Sequence, residues 1–250
     1  MADILPNREK ILAHCTDTLI TTNKEDYDLA KNKFKTDVRY VPGVGIDPKK
    51  FDISMTQQQK TDLRKSLGLK DSDFVMIYPA ELNKNKNQKM LIDVMEIISK
   101  THNNIHLLLP GKDNMNGYHQ KIAKEKNLNN IHFLGYRNDI PQLMKISNLA
   151  VSTSLREGLP VNIMEAMYVG LPIIATNCRG NRDLIKNGLN GYILESNDQN
   201  GLANKVAYLE KRIDARDRMA RNNNKLISNY LLAKILTSMH GIYAVGDYNE

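Results

Sequence analysis

Short apolar runs alternate with amphipathic stretches along the chain from residue 74 onward. The apolar runs are rich in β-branched and long aliphatic side chains, a composition that is typical of strands. They predict six strands, at residues 74–78, 105–109, 131–135, 148–154, 172–176 and 191–195.

The stretches between these strands carry apolar residues at helical spacing. They predict helices at residues 87–100, 118–127, 139–147, 159–170 and 181–188, then two near 198–212 and 214–232 and a third after them. Alternating strands and helices form a doubly wound parallel sheet with helices on both faces. The predicted fold class is therefore α/β, and ligands of such folds bind at the carboxyl ends of the strands.

The segment before residue 52 has a different pattern. "DTLITT" (17–22) predicts a strand and "KEDYDLAKNKF" (24–34) predicts a helix, which together make one βα unit with no sheet of its own. The turn-rich "VPGVGIDPKKF" (41–51) follows, as an interdomain linker would. Its G-x-G is not a dinucleotide fingerprint, because Pro48 stands where the third glycine belongs and no strand–turn–helix unit surrounds it.

Composition and charge narrow the function classes. The 250 residues are 41% hydrophobic, enough to bury a core, and no apolar run approaches the roughly 20 residues of a membrane-spanning helix. The start of the chain lacks a signal-peptide pattern, so we expect a cytoplasmic protein. A net charge of +7 favours anionic partners, but Trp is absent and only four Phe are present, which argues against a nucleic-acid binder.

The candidate chemistry lies in "STSLREGLPVNIMEAMYVGLPIIAT" (152–176), where Glu157 sits in a Gly/Pro turn and Glu165 interrupts an apolar run. A buried carboxylate is either paired inside the protein or available to a ligand. A helix opening near Pro160 would offer free N–H groups to an anion beside Gly158. With Glu165 about 7.5 Å along that helix, the carboxylates would straddle a nucleoside diphosphate sugar. A salt-bridged helix residue and an ordinary turn residue are the alternatives for the two glutamates.

"REGLPVNIMEAM" resembles the E-x7-E motif of the retaining GT-B glycosyltransferases of family GT4, and the match continues through "GLPIIATNCRGNRDLIKNGLNGYILE". "YPAELNKNKNQKMLIDVM" is similar to the first strand–loop–helix of the family's donor domain, and "VPGVGID" is similar to its hinge. The resemblance extends from about residue 8 to about residue 235, and within the family it is greatest to the bacterial branch that builds capsule, exopolysaccharide or lipopolysaccharide.

The resemblance implies a role for each matching residue. The family's ribose-binding glutamate falls on Glu165, its sugar-contacting glutamate on Glu157, and its diphosphate-binding lysine on Lys86, with Lys84 and Lys89 as near competitors. Backbone groups that approach the diphosphate and sugar fall on Gly158, Leu159 and Pro160, with Val161 following.

One departure concerns the diphosphate. Many family members have Gly-Arg where this chain has Ala80-Glu81, so a second cation would have to come from Arg156 or Arg179. Neither side chain can be placed from the sequence.

The resemblance also implies a domain plan. Residues 1–40 would be a remnant of an acceptor-side domain, 41–51 the hinge, 52–235 the Rossmann-like donor domain and 236–250 a tail. We therefore expect the chain to bind a donor, a UDP-sugar by preference, but to be inactive in transfer on its own. The exposed βα unit would favour self-association.

The implied reaction is metal-independent transfer with retention, with no cofactor, to a saccharide or lipid-linked acceptor at the inner face of the membrane. "DSD" (71–73) fits a D-x-D metal signature, but it precedes a strand instead of following one and is predicted to be a loop. Cys15 and Cys178 indicate neither a disulfide nor a zinc site. A sugar-nucleotide-binding module without catalysis and a GT-B-fold epimerase remain alternatives.

Overall fold

A computed structural model describes residues 12–244 of the chain. The predicted N-terminal unit (1–40) and tail (236–250) extend past these limits, so residues 1–11 and 245–250 of those two predictions lie outside the described residues.

The N-terminal unit has its own small sheet. Strand β1 (Thr18–Thr21) and strand β2 (Asp37–Tyr40) pair in parallel, with helix α1 (Lys24–Lys33) between them in the chain. The prediction of a βα unit with no sheet of its own is therefore wrong. Strand β2 has the sequence DVRY, whose two charged residues are exposed, so no apolar run marks it.

The six predicted strands form one parallel sheet, which confirms the α/β fold class. They are β3 (Phe74–Ile77), β4 (Ile105–Pro110), β5 (Ile131–Gly135), β6 (Leu149–Ser152), β7 (Ile173–Thr176) and β8 (Gly191–Leu194). Their order is β5-β4-β3-β6-β7-β8. After β3 the chain adds β4 and β5 on one side of the sheet, and it then crosses over to add β6, β7 and β8 on the other side. The strand order therefore reverses between β3 and β6, and sheets of this kind bind ligands in the crevice at the carboxyl ends of those two strands.

Helices cover both faces of this sheet. They are α2 (Gln57–Ser66), α3 (Gln88–Ile98), α4 (Tyr118–Glu125), α5 (Ile140–Lys145), α6 (Val161–Val169), α7 (Arg179–Leu184), α8 (Gln199–Lys211), α9 (Ile213–Leu226) and α10 (Leu232–Ala244). Alternate residues of β3 belong to two separate apolar clusters: Met76 packs with α3 and α8, whereas Val75 packs with α5 and α6. The predicted helix at 214–232 is interrupted, because it continues past Leu226 only as a 3-10 turn, Ile227–Tyr230.

Helix α2 is absent from the predicted elements because its sequence is almost wholly polar. It begins with a capping box, in which the Thr56 hydroxyl accepts from the Gln59 N–H and the Gln59 side chain accepts from the Thr56 N–H. This Thr-x-x-Gln spacing was a readable signal of a helix start. The helix is fastened by Arg64, whose guanidinium donates to the carbonyls of Asp73 and Ile146.

The linker at 41–51 packs against the main body. The Ile46 N–H donates to the Tyr230 carbonyl at 2.9 Å, and the Leu232 N–H donates to the Ile46 carbonyl at 2.7 Å. Gly43 and Gly45 both have positive φ, which glycine adopts without strain. Among the described residues, no helix is both long and apolar enough to cross a bilayer.

Candidate functional site

The loop between β6 and α6 lies at the carboxyl edge of the sheet, beside β3. Pro160 is the N-cap of α6, and Glu165 is in the second turn of the helix. The chain enters the loop through fully buried hydroxyl residues, Thr153 and Ser154. No side chain in the described part of the chain caps α6, and its first N–H groups have no partner within the helix, so the helix begins with free donors at this edge of the sheet.

Glu157 and Lys86 meet across the crevice. The Lys86 Nζ lies 2.5 Å from the Glu157 Oε1, although the two residues are 71 positions apart in the chain. Both side chains are largely buried, with 23% of Lys86 and 11% of Glu157 exposed. The structure therefore brings two of the predicted site residues into direct contact.

The neighbouring lysines do not share this position. Lys89 forms an ion pair with Asp93 on its own helix at 2.7 Å, and Lys84 is exposed. Asn87 has a left-handed backbone with φ of 51°, and the Thr153 hydroxyl lies 3.0 Å from the carbonyls of both Lys86 and Asn87. These contacts hold the loop in a conformation that places Lys86 beside Glu157.

Glu165 has no ion pair within residues 12–244. Burial raises the pKa of its carboxyl to about 7, and the positive charge of Lys50 in the linker opposes that rise. The salt-bridged interpretation of Glu165 therefore has no partner in this part of the chain. A carboxylate held this way gains most from a ligand that donates hydrogen bonds.

The loop exposes its backbone at Gly158, directly after Glu157. Leu159 and Pro160 are buried, and Val161 is 39% exposed at the first turn of α6. A methyl group on Gly158 would come within 3.5 Å of the Thr22 hydroxyl, which follows β1. The N-terminal unit therefore stands opposite the exposed backbone of the loop.

Helix α7 supports the same loop from behind. A Cβ on Gly180 would lie 2.1 Å from the Gly158 carbonyl oxygen and 2.9 Å from the Leu159 Cα. These are backbone atoms, which cannot rotate away. Only glycine fits at this position of α7.

The predicted sources of a second cation are placed differently. Arg179 forms an ion pair with Asp26 at the start of α1, and beside it Arg182 pairs with Glu25. Arg156 is exposed, and Glu81 accepts a hydrogen bond from Asn114 at 2.9 Å. Neither arginine joins the Lys86–Glu157 pair.

The "DSD" segment (71–73) is a loop before β3, as its position in the sequence predicts. Asp73 is buried there, and its carboxylate accepts from the Lys70 N–H at 2.7 Å. This loop is at the opposite edge of the sheet from Glu157, because the carboxyl end of β3 is at Ile77.

Three residues near the Lys86–Glu157 pair were not predicted as site residues from the sequence. Tyr78 and Ser154 are hydrogen-bonded to each other at 2.7 Å behind Glu157, and the Asn162 side chain donates to the Pro79 carbonyl at 3.0 Å. The cluster of hydroxyl residues at the end of a buried strand, "STS" (152–154), was the available signal. Hydroxyl groups that are buried need partners.

Comparison with known proteins gives the family. Residues 59–226 match the family model described as glycosyl transferases group 1. EpsD of Bacillus subtilis, a protein named as a glycosyltransferase, is 32% identical over 94% of this chain and 62% of its own length. The Escherichia coli UDP-Gal:alpha-D-GlcNAc-diphosphoundecaprenol alpha-1,3-galactosyltransferase is 29% identical over 94% of this chain and 62% of its own length.

A solved structure gives the fold. HepE of Anabaena, in complex with UDP and glucose, superposes with a TM-score of 0.82 at 22% identity, covering 96% of this chain and 66% of that one. The chain thus has the fold of GT-B glycosyltransferases, and it spans 62% of the length of the two curated relatives above. With a family match that runs from α2 to the end of α9, this chain belongs to the group 1 glycosyl transferases.

Proposed function

We propose that the chain is the donor-binding part of a retaining glycosyltransferase of family GT4, which transfers a sugar from a UDP-sugar to a bacterial surface polysaccharide or glycolipid. The single observation that carries the proposal is the Lys86–Glu157 pair, held at 2.5 Å beside the exposed backbone of Gly158. A cation, a carboxylate and helix N–H groups at one crevice match the diphosphate and the hydroxyls of a nucleotide sugar.

Each group then has a role in the reaction. Glu165 would accept the ribose hydroxyls, and Glu157 would accept a hydroxyl of the donor sugar. Lys86 and the first N–H groups of α6 would stabilise the negative charge that collects on the diphosphate as it departs. This preorganised positive charge is our reason for proposing a reaction that needs no metal.

The bond changes can be stated for this proposal. The bond between the anomeric carbon and the diphosphate oxygen breaks, and the acceptor oxygen bonds to that carbon on the same face of the sugar. The departing diphosphate takes the acceptor's proton, since no side chain at the crevice stands out as a general base. The mechanism asks the protein mainly for positioning and charge stabilisation.

The donor and acceptor classes are supported by the names of similar proteins. HepE has been crystallised in complex with UDP-glucose, and the Escherichia coli relative is named for transfer from UDP-Gal to a diphosphoundecaprenol-linked sugar. From these names we propose a UDP-sugar donor and a lipid-linked or polysaccharide acceptor for this chain. The transfer would take place at the cytoplasmic face of a membrane. Self-association through the β1–α1–β2 unit is also proposed, because that unit carries an apolar cavity of about 430 Å³, lined in part by Leu12, Leu19 and Phe34.

Replacing Lys86 by alanine is expected to weaken UDP binding by roughly 1.5–3 kcal/mol, because a hydrogen bond to a charged group is lost. Isothermal titration calorimetry with UDP measures this, with Lys84→Ala as the matched control on the exposed neighbouring lysine. Adding a chelator should leave both titrations unchanged. Equal affinities for the two variants, or a requirement for Mg²⁺ or Mn²⁺, would remove the proposed role of Lys86.

The chain itself is expected to bind UDP or a UDP-sugar without measurable transfer. Positioning a second reactant can account for about 7–11 kcal/mol of a barrier, and the chain matches only part of its relatives' length. Binding is measured with a panel of nucleotide sugars, and transfer with membrane extracts or oligosaccharides as acceptors. Sustained turnover by the purified chain would show that the acceptor site lies within these residues.

A further inference from the structure

A buried chain of hydroxyl groups lies behind Glu157. Ser154 is fully buried, and its hydroxyl donates to the Glu157 Oε1 at 2.5 Å. The Tyr78 hydroxyl, also fully buried, lies 2.7 Å from the Ser154 Oγ. An ionised carboxylate only accepts hydrogen bonds, so Ser154 gives its single proton to Glu157 and receives the proton of Tyr78.

The same chain also borders the backbone of Lys86. The Tyr78 hydroxyl lies 3.3 Å from the Lys86 carbonyl, a longer contact than the one to Ser154. The Lys86 N–H donates to the Asn83 side chain at 2.9 Å. Tyr78 therefore adjoins the backbone that carries Lys86 and, through Ser154, the carboxylate of Glu157.

These bonds make the two carboxylate oxygens of Glu157 unequal. Oε1 receives both the Lys86 ammonium and the Ser154 hydroxyl, each at 2.5 Å. Oε2 has no hydrogen bond to any residue in the described part of the chain. With one oxygen fully engaged, the carboxylate cannot rotate without losing two charge-assisted bonds.

We infer that Tyr78 and Ser154 are positioning residues that fix Glu157 so that its Oε2 accepts a hydroxyl of the donor sugar. The inference rests on the proposed function, which assigns Glu157 to the sugar side of the donor. It adds a specificity for the class of ligand: a nucleotide that carries a sugar gains this hydrogen bond, and a bare nucleotide does not. Removing the positioning chain should therefore separate UDP-sugar binding from UDP binding.

The test is calorimetry of Ser154→Ala and Tyr78→Phe with UDP and with UDP-glucose, UDP-galactose and UDP-N-acetylglucosamine. Ser154→Ala should weaken the UDP-sugar that wild type binds best by about tenfold, the loss expected for one charge-assisted hydrogen bond. UDP affinity should stay within about twofold. Tyr78→Phe keeps the buried ring and should lose about threefold in the same selective way, and the double variant should be no weaker than Ser154→Ala, because Tyr78 acts through Ser154.

Ser147→Ala is the matched control, because Ser147, like Ser154, is a buried serine. Its hydroxyl donates to the backbone carbonyl of Leu143 in α5 instead of to Glu157. Ser147→Ala should change neither affinity. Equal losses of UDP and UDP-sugar in Ser154→Ala, or no loss beyond that of Ser147→Ala, would overturn the positioning role and leave the proposed function standing. Failure of the wild-type chain to bind UDP or any of the three sugars would overturn the proposed function and this inference together.

Discussion

Replacing Glu165 by glutamine is expected to stabilise the free chain at pH 8 and, in the same variant, to weaken UDP binding. The pKa of Glu165 is raised from its ordinary 4.5 to about 7 by burial. Between those two values the folded chain keeps a proton that the unfolded chain has lost, so stability falls as the pH rises. The full penalty, about 3 kcal/mol, is present above pH 7 and absent below pH 4.5.

Glutamine removes this penalty, because it buries no charge at any pH. Urea unfolding of wild type and Glu165→Gln from pH 4.5 to pH 8 measures the difference, which should grow with pH. Glu125→Gln is the control, since Glu125 is an exposed glutamate on α4. If Glu165→Gln is instead less stable than wild type at pH 8, the carboxylate has a stabilising partner and is a structural residue.

Binding should show the opposite dependence on pH. In the role proposed for Glu165, its ionised carboxylate accepts hydrogen bonds from the ribose diol, so lowering the pH through 7 should weaken UDP binding to wild type by about tenfold per pH unit. The UDP phosphate also titrates near pH 6 and changes the affinity of both proteins. The quantity to compare at each pH is therefore the difference in UDP binding free energy between wild type and Glu165→Gln. That difference should vanish at low pH, where both side chains are neutral.

Replacing Gly180 by alanine is expected to destabilise the chain by about 3 kcal/mol or more. The added Cβ would lie 2.1 Å from the Gly158 carbonyl oxygen, and only a shift of the backbone can relieve that overlap. The fraction of Gly180→Ala that still folds should have lost most of its UDP affinity, because the backbone that must shift belongs to the loop before α6.

Gly241→Ala is the matched control for this substitution. Gly241 lies in α10 with nothing within 4 Å of an added Cβ, so alanine there should be neutral or slightly stabilising. Thermal unfolding measures the stability of both variants, and titration with UDP measures their affinity. Wild-type stability in Gly180→Ala would mean that α7 and the loop before α6 are not packed as described.

The apolar runs were sufficient to predict the six-stranded sheet, because its four central strands are buried and its edge strands β5 and β8, although only partly buried, are also largely apolar. It was insufficient for β2 and α2, whose sequences are polar and whose stability comes from tertiary contacts such as those of Arg64. Pattern alone therefore underestimated the N-terminal unit, which the sequence predicted as a single strand and helix.

The positions of the site residues likewise depend on tertiary contacts that the local sequence pattern does not show. Lys84, Lys86 and Lys89 are equivalent in a lysine-rich stretch, and their directions depend on a left-handed Asn87 and on bonds from Thr153. Tyr78 resembles any residue at the end of a buried strand. Its contact with Ser154 joins positions 76 apart, which no local pattern records.

The ion pair between Arg179 and Asp26 ties the β1–α1–β2 unit to the helix that supports Gly158. Because the pair joins two separate elements, any displacement of that unit would separate the Arg179 guanidinium from the Asp26 carboxylate. The positive charge that α7 presents beside the loop before α6 therefore depends on where the β1–α1–β2 unit lies.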